Sequence, residues 1–265
     1  MTVRLVATDL DGTLVRSDNT VSARTKRAIA RVEAAGVPFI MVTGRPPRWM
    51  SQIADATGHR GIAICANGAL VYDLHTETVV RTDLFTAGAA LEVVTALREA
   101  LPDIAFAVER HDAPFGHEPA YRPRWDSNDP KELGPVEQLL TAGVIKLLAR
   151  HEAMDADQLL AAARAAVGDG ATLTHSSADG LVEISAAGVT KASGLAALAA
   201  EHGVQAADVI AFGDMPNDLP MLAWAGRGYA MANAHPSVLA ECDEVTATND
   251  EDGVALVLEA LFAGR

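Results

Sequence analysis

The chain has 265 residues, 49% of them hydrophobic and 21% charged, and 21 Lys and Arg against 35 Asp and Glu leave a formal net charge of −14. That balance fits a globular protein with a large core and disfavours nucleic acid or anionic lipid as a partner, since both would be repelled. No apolar run reaches the roughly 18 residues of a bilayer span, no basic-then-apolar leader opens the chain, and two cysteines, Cys65 and Cys242, speak against a disulfide framework; a cytoplasmic protein is expected.

In chain order, "RLVAT" reads as a short buried strand and "SARTKRAIARVEAAG" as an amphipathic helix, with Ser22 as its N-cap and Gly36 as its stop. A strand in "VPFIMVT", a helix in "PPRWMSQIADATG" and a strand in "GIAICANG" follow. Cys65 reads as a buried strand residue. Three apolar strands joined by helices predict a parallel sheet covered on both faces. From about Thr82 to Ala186 the pattern changes: a helix in "AGAALEVVTALREAL", a strand in "IAFAVER", an irregular Pro-rich charged stretch, a strand in "AGVIKLLAR", the helix "DADQLLAAARAAVG" and a hairpin in "ATLTHSSADGLVEIS". Helices mixed with alternating strands suggest an α+β module over 82–186 inserted into an α/β domain of 1–81 and 187–265. Beyond Gly188 strands and helices alternate again, in "TKASGLAALAAEHG" (helix), "ADVIAFGD" (strand), "DLPMLAWAG" (helix), "GYAMAN" (strand) and "NDEDGVALVLEALF" (helix).

In an open α/β sheet, ligands bind outside the carboxyl ends of the strands. Asp9 and Asp11 follow the first strand, Thr43 the second, Asn67 the third, and Asp214 and Asp218 the strand in "VIAFGDMPND". Four carboxylates from two distant segments would then converge, each raising the pKa of the others. A hard divalent cation resolves this, and Mg²⁺ suits a site with few protein carboxylates that waters and a phosphate complete. Lys191 opens a helix, and the "DGT" turn offers backbone N–H groups to phosphate oxygens. A nucleophilic carboxylate beside a second carboxyl that passes a proton is a workable pair for phosphoryl transfer.

With those residues in place, "DLDGT" (Asp9 to Thr13) resembles the first motif of the haloacid dehalogenase (HAD) superfamily of phosphohydrolases, Thr43 in "VTGR" its second, Lys191 its third and "GDMPND" (Gly213 to Asp218) its fourth. The insert is similar to the α/β cap of the Cof-type subfamily (IIB), and "ANGA" and "NDEDGVA" resemble that subfamily's landmarks. The resemblance spans essentially the whole chain. It implies a Rossmann-like doubly wound parallel-sheet core with an inserted α+β cap, and a Mg²⁺-dependent phosphoric monoester hydrolase working through an aspartyl phosphate. Asp9 would be the nucleophile and Asp11 the general acid, then the base. Thr43 and Lys191 would hold and neutralise the phosphoryl group, with Gly12, Gly44, Arg45, Asn67 and Asn217 contacting substrate or phosphate. Metal would be held by Asp9, the Asp11 carbonyl and Asp214, with Asp218 either a direct ligand or one step back, positioning Lys191. An acid at position 11, absent from members that cleave carbon–halogen bonds, points to phosphate chemistry.

The implied substrate is a small phosphorylated metabolite, a sugar phosphate first, with pyridoxal phosphate (PLP) or flavin mononucleotide (FMN) behind. A phosphomutase is a chemical neighbour, and a binding protein that kept the fold without turnover is the alternative from another class. In the cap, the loop with His117, Tyr121, Arg122, Arg124 and Trp125, or the hairpin from His175 to Asp179, is expected to set specificity. The eight histidines show no metal-ligand spacing and are expected at the surface or in loops, and the chain is expected to be a monomer or homodimer.

Overall fold

The computed structural model describes residues 2–124, 130–140 and 143–263, so Trp125 lies outside the described residues. The chain divides into two compact units, one running to Arg81 and resuming at Thr190, the other Thr82–Val189.

The first unit begins with β1 (Leu5–Thr8), α1 (Ala23–Ala34), β2 (Phe39–Val42), α2 (Met50–Thr57) and β3 (Ile62–Cys65). Ser22 caps α1 by accepting from the Thr25 N–H, and Gly36 just beyond takes a φ of 71°, a conformation that glycine adopts without the Cβ penalty. The chain then continues into two strands that the sequence reading left unassigned, β4 (Leu70–Asp73) and β5 (Thr78–Thr82). β4 runs antiparallel to β3, so the sheet is mixed at that side. Alternation is weak there because all five residues of β5 are exposed or half-buried, which removes the period-two signal.

The second unit contains α3 (Ala87–Ala100), β6 (Ala105–Glu109), β7 (Phe115–His117), β8 (Lys131–Leu133), α4 (Val136–Leu139), β9 (Lys146–Arg150), α5 (Ala156–Val167), β10 (Ala171–Thr174) and β11 (Leu181–Ala186). Its sheet order is β10-β11-β9-β6-β7-β8. The stretch expected to be irregular thus holds two three-residue strands, β7 and β8, and a one-turn helix, α4, follows it, elements too short to carry a period. Asp155 closes a capping box with Gln158 at the start of α5. Leu97, Leu147, Leu159 and Ile184 belong to a core that joins the helices to one face of this sheet. Arg124 pairs with Asp179 at 3.1 Å, tying the segment that follows β7 to the β10–β11 hairpin.

The first unit resumes with α6 (Lys191–Glu201), β12 (Val209–Gly213), α7 (Leu219–Trp224), β13 (Arg227–Met231), α8 (Pro236–Glu241), β14 (Glu244–Thr246) and α9 (Gly253–Leu261). α8 and β14, six and three residues long, were also unassigned from sequence. The strand order is β14-β13-β12-β1-β2-β3-β4-β5, with the six strands from β14 to β3 mutually parallel. Leu5 and Ala7 of β1 pack with Leu195, Leu198 and Met221 of α6 and α7, while the alternating Val6 is equally buried. Burial on both faces explains why β1, β2 and β12 are continuous apolar runs. Cys65 is buried at the end of β3. Of the histidines, His117 departs from the expectation, buried in β7; His59 and His175 lie in loops, as expected, yet are buried too, His59 with Nδ1 2.6 Å from Glu33 and His175 with Nε2 2.9 Å from Asp157. A carboxylate or carbonyl partner makes a buried imidazole tolerable, and nothing local in the sequence announces it. Among the described residues no helix is long and apolar enough to cross a membrane.

Candidate active site

Parallel strands end on the same side of a sheet, so the residues just beyond β1, β2, β3 and β12 fall at one edge. β1 lies between β2 and β12, in register Ala7 to Ile40 and Ala7 to Ala211, and the Asp9 N–H donates to the Phe212 carbonyl at 3.0 Å. This brings Asp9 and Asp214, 205 residues apart, to adjacent strand ends.

Lys191 is the first residue of α6, whose cap is Thr190 in a reciprocal box with Ser193. That cap sets the helix start, and from it the buried Lys191 ammonium donates to Asp9 Oδ1 at 2.5 Å and to Asp218 Oδ1 at 2.7 Å. Asp218 Oδ2 accepts from the N–H groups of Asp214 and Met215, both at 3.0 Å. Both Asp218 oxygens are therefore engaged in holding Lys191 and the loop that carries Asp214. Gly213 is required beside it, because a Cβ there would collide with the Asp218 side chain.

Ligand atoms of Asp9, Asp214 and Asp218 all lie within 4.8 Å of one another, and the three residues are buried. Burial pushes the Asp9 carboxyl well above the usual carboxylate range; the Lys191 ammonium pulls it back, and Asp218, Asp214 and Asp11 push it up again. Burial, with the Asp218 charge second, pushes Asp214 up to about 7. For Lys191 burial alone lowers the ammonium, and the carboxylates of Asp218 and Asp9 outweigh it, holding it above its ordinary value. Carboxylate oxygens of Asp9 and Asp214 lie within 4.8 Å of each other, an approach that two buried ionised carboxylates sustain only with a proton or a cation to offset their charge. An all-oxygen donor set, buried and short of positive charge, fits a hard divalent cation such as Mg²⁺.

The turn after β1 is shaped for close approach. Gly12 has φ 77°, and a Cβ on it would run into the Asp214 carboxylate. Thr13 Oγ1 donates to Asp214 Oδ1 at 2.9 Å, and Asn233 Nδ2 donates to the Gly12 carbonyl at 2.8 Å. Asn233 and Thr190 are supporting residues that the sequence did not single out, whereas Thr13 belongs to the "DGT" turn that it did. Asn233 lies just beyond β13, a parallel strand whose end falls at the same edge, so the strand-end rule itself contained the signal.

Thr43 is buried, its carbonyl accepts from the Asn67 N–H at 3.0 Å, and its Oγ1 accepts from the Arg45 N–H at 3.1 Å, with Gly44 between them. Asn67 has φ 58°, an αL conformation that asparagine tolerates, and its Oδ1 accepts from Asn217 Nδ2 at 3.1 Å. Asn217 Oδ1 is buried with no hydrogen-bond partner among the described residues. Asp11 stands apart from the buried cluster. Its side chain is 56% exposed, and Arg45 grips it, Nε donating to Oδ2 at 2.8 Å and Nη2 to Oδ1. The sequence-derived residues thus fall into two hydrogen-bonded groups, Asp9, Lys191, Asp218 and Asp214 in one and Thr43, Asn67 and Asn217 in the other, and the Asp11–Arg45 pair is joined to the second through the Arg45 N–H on Thr43.

The chain matches the family model of haloacid dehalogenase-like hydrolases over residues 6–258. It is 31% identical over 270 residues to the pyridoxal phosphate phosphatase YbhA of Escherichia coli, covering 96% of this chain and 97% of that one. It is 30% identical over 276 residues to the 5-amino-6-(5-phospho-D-ribitylamino)uracil phosphatase YitU of Bacillus subtilis, covering 98% and 97%. Among solved structures, the subclass IIB sugar phosphatase BT4131 shares the fold with a TM-score of 0.80 at 20% identity, covering 97% of this chain and 98% of that one. A family model and curated relatives that run nearly end to end leave one conclusion: the chain belongs to the haloacid dehalogenase superfamily of phosphohydrolases, in its Cof-type subfamily.

Proposed function

We propose that the protein is a Mg²⁺-dependent phosphatase of small phosphorylated metabolites that works through a covalent phosphoryl group on Asp9. The observation that carries this reading is the buried Asp9 carboxylate held by Lys191 at 2.5 Å, beside an Asp214 carboxyl it cannot face unshielded. An Asp9 oxygen attacks phosphorus and the bond to the leaving oxygen breaks, while Asp11 gives that oxygen its proton. A water then attacks the phosphoryl group, Asp11 takes a proton from it, and the Asp9–phosphorus bond breaks to release inorganic phosphate. Lys191 offsets the charge that builds on the phosphoryl oxygens, and Thr43 donates to one of them. Backbone N–H groups of the Gly12 and Gly44 turns, with Asn67 and Asn217, complete the phosphate cradle. Asp9, Asp214 and the Asp11 carbonyl would hold the Mg²⁺, which when bound supplies charge against the phosphoryl oxygens and lets the two carboxylates ionise side by side. Asp218, with both oxygens already engaged, serves by aiming Lys191.

For the substrate, the names of two relatives, a pyridoxal phosphate phosphatase and a 5-amino-6-(5-phospho-D-ribitylamino)uracil phosphatase, support phosphorylated cofactors and their precursors as candidates beside the sugar phosphates expected from the sequence. Residues 82–186 are proposed as the part that recognises the leaving group. Release of inorganic phosphate from p-nitrophenyl phosphate, sugar phosphates, pyridoxal phosphate and FMN, with and without Mg²⁺, tests the reading. Metal-dependent release that Asp9→Asn lowers on the order of 10³-fold or more is expected. Activity independent of metal and unchanged in Asp9→Asn would refute it.

A further inference from the structure

Arg45 carries the obvious spare cation of the phosphate-binding loop, yet its guanidinium is already committed. Both oxygens of the Asp11 carboxylate receive an N–H from it, Oδ2 from Nε at 2.8 Å and Oδ1 from Nη2. Such a two-point contact fixes the plane of a carboxylate as well as its position, which a single ammonium does not do. Asp11 needs an external hold of this kind. Its side chain is more than half exposed and sits in the Gly12 turn without the packing that fixes Asp9, so left alone it would sample several rotamers. Arg45 is itself anchored at the backbone: its N–H donates to Thr43 Oγ1 at 3.1 Å and its carbonyl accepts from the Ala66 N–H at 3.0 Å. The clamp is therefore built on the same loop that carries Thr43.

We propose that Arg45 is a positioning residue that aims the Asp11 carboxyl at the leaving oxygen from the Thr43 loop, and that it does not itself bind the phosphoryl group. This rests on the assignment of Asp11 as proton donor made above. Its consequence is a dependence on leaving group. A nitrophenolate departs as a stable anion, whereas an alkoxide must be protonated as its bond to phosphorus breaks, so a misaimed Asp11 harms alkyl esters selectively.

The test compares kcat/KM for p-nitrophenyl phosphate and for glycerol phosphate in the wild type, Arg45→Ala, Arg45→Lys, Asp11→Asn and the Arg45→Ala/Asp11→Asn double variant, with thermal melts to confirm folding. Arg45→Ala should lose about tenfold more on the alkyl ester than on the aryl ester. Arg45→Lys, which keeps the charge and loses the fork, should remain biased. In the Asp11→Asn background, removing Arg45 should add no further bias, since the two act as one unit. Equal losses on both esters with recovery in Arg45→Lys would identify a phosphate ligand and overturn the proposal alone. Absence of bias in Asp11→Asn would overturn the proton-donor assignment together with it.

Discussion

Two buried carboxyls with oxygens within 4.8 Å of each other, Asp9 and Asp214, dominate the electrostatics at the residue scale. Both are raised by burial, Asp214 to about 7 from an ordinary 3.8. Between those values the folded state holds protons that the unfolded state has released, so their contribution to stability is whole below about pH 4 and is lost as pH climbs towards 7. On the proposed function, a bound divalent cation would take over the protons' role above that range. In the absence of metal the thermal midpoint should therefore fall as pH rises through this window, and saturating Mg²⁺ above pH 7 should raise it by about 5 °C. Asp214→Asn should flatten both responses. Calorimetry or dye-based melting across pH, with and without Mg²⁺, measures this, and a wild type whose midpoint ignores Mg²⁺ above pH 7 would remove the cation from the account.

At the scale of elements, the start of α6 does more than begin a helix. The Thr190 side chain accepts from the Ser193 N–H, Ser193 answers by accepting from the Thr190 N–H, and Lys191 follows directly. Thr190→Ala should cost about 1 kcal/mol of stability by loss of the cap. It should also lower kcat by more than that loss of folded protein explains, because the Lys191 ammonium reaches Asp9 and Asp218 from the first residue of that helix. Denaturant titration beside steady-state kinetics separates the two effects, and a stability loss with kcat untouched would confine Thr190 to helix capping. Elements of this length and with such caps were legible in the sequence: Ser22 before α1 and the apolar runs of β1, β2, β3 and β12 announced themselves through local pattern. β5, β7, β8, β14 and α4 did not. They are short, or exposed along their length, and a period needs several residues of contrasting burial to be read.

For the whole molecule, the two units have separate hydrophobic cores, one around Leu97, Leu147 and Ile184, the other around Leu5, Leu195 and Ala211, with no residue in common. Leu147→Ala should cost about 2–5 kcal/mol locally, by lost burial and the cavity left behind. Hydrogen exchange should show amide protection falling across Thr82–Val189 while β1 and β12 keep theirs; an even loss in both units would mean that they unfold as one.

The sequence by itself determined what local pattern and chain order can carry. An apolar run ending in Asp9, another ending in Asp214, and Lys191 at the opening of a helix pointed to one sheet edge, because parallel strands end on one side whatever their loops contain. Only the tertiary structure decided which side chains there touch. Thr13 reaches Asp214 across 201 residues of chain, Arg45 grips Asp11 across 34, and His59 is buried against Glu33. Those pairings depend on β1 lying between β2 and β12 and on how far each side chain extends beyond its strand, and neither quantity is encoded in the spacing of residues along one segment.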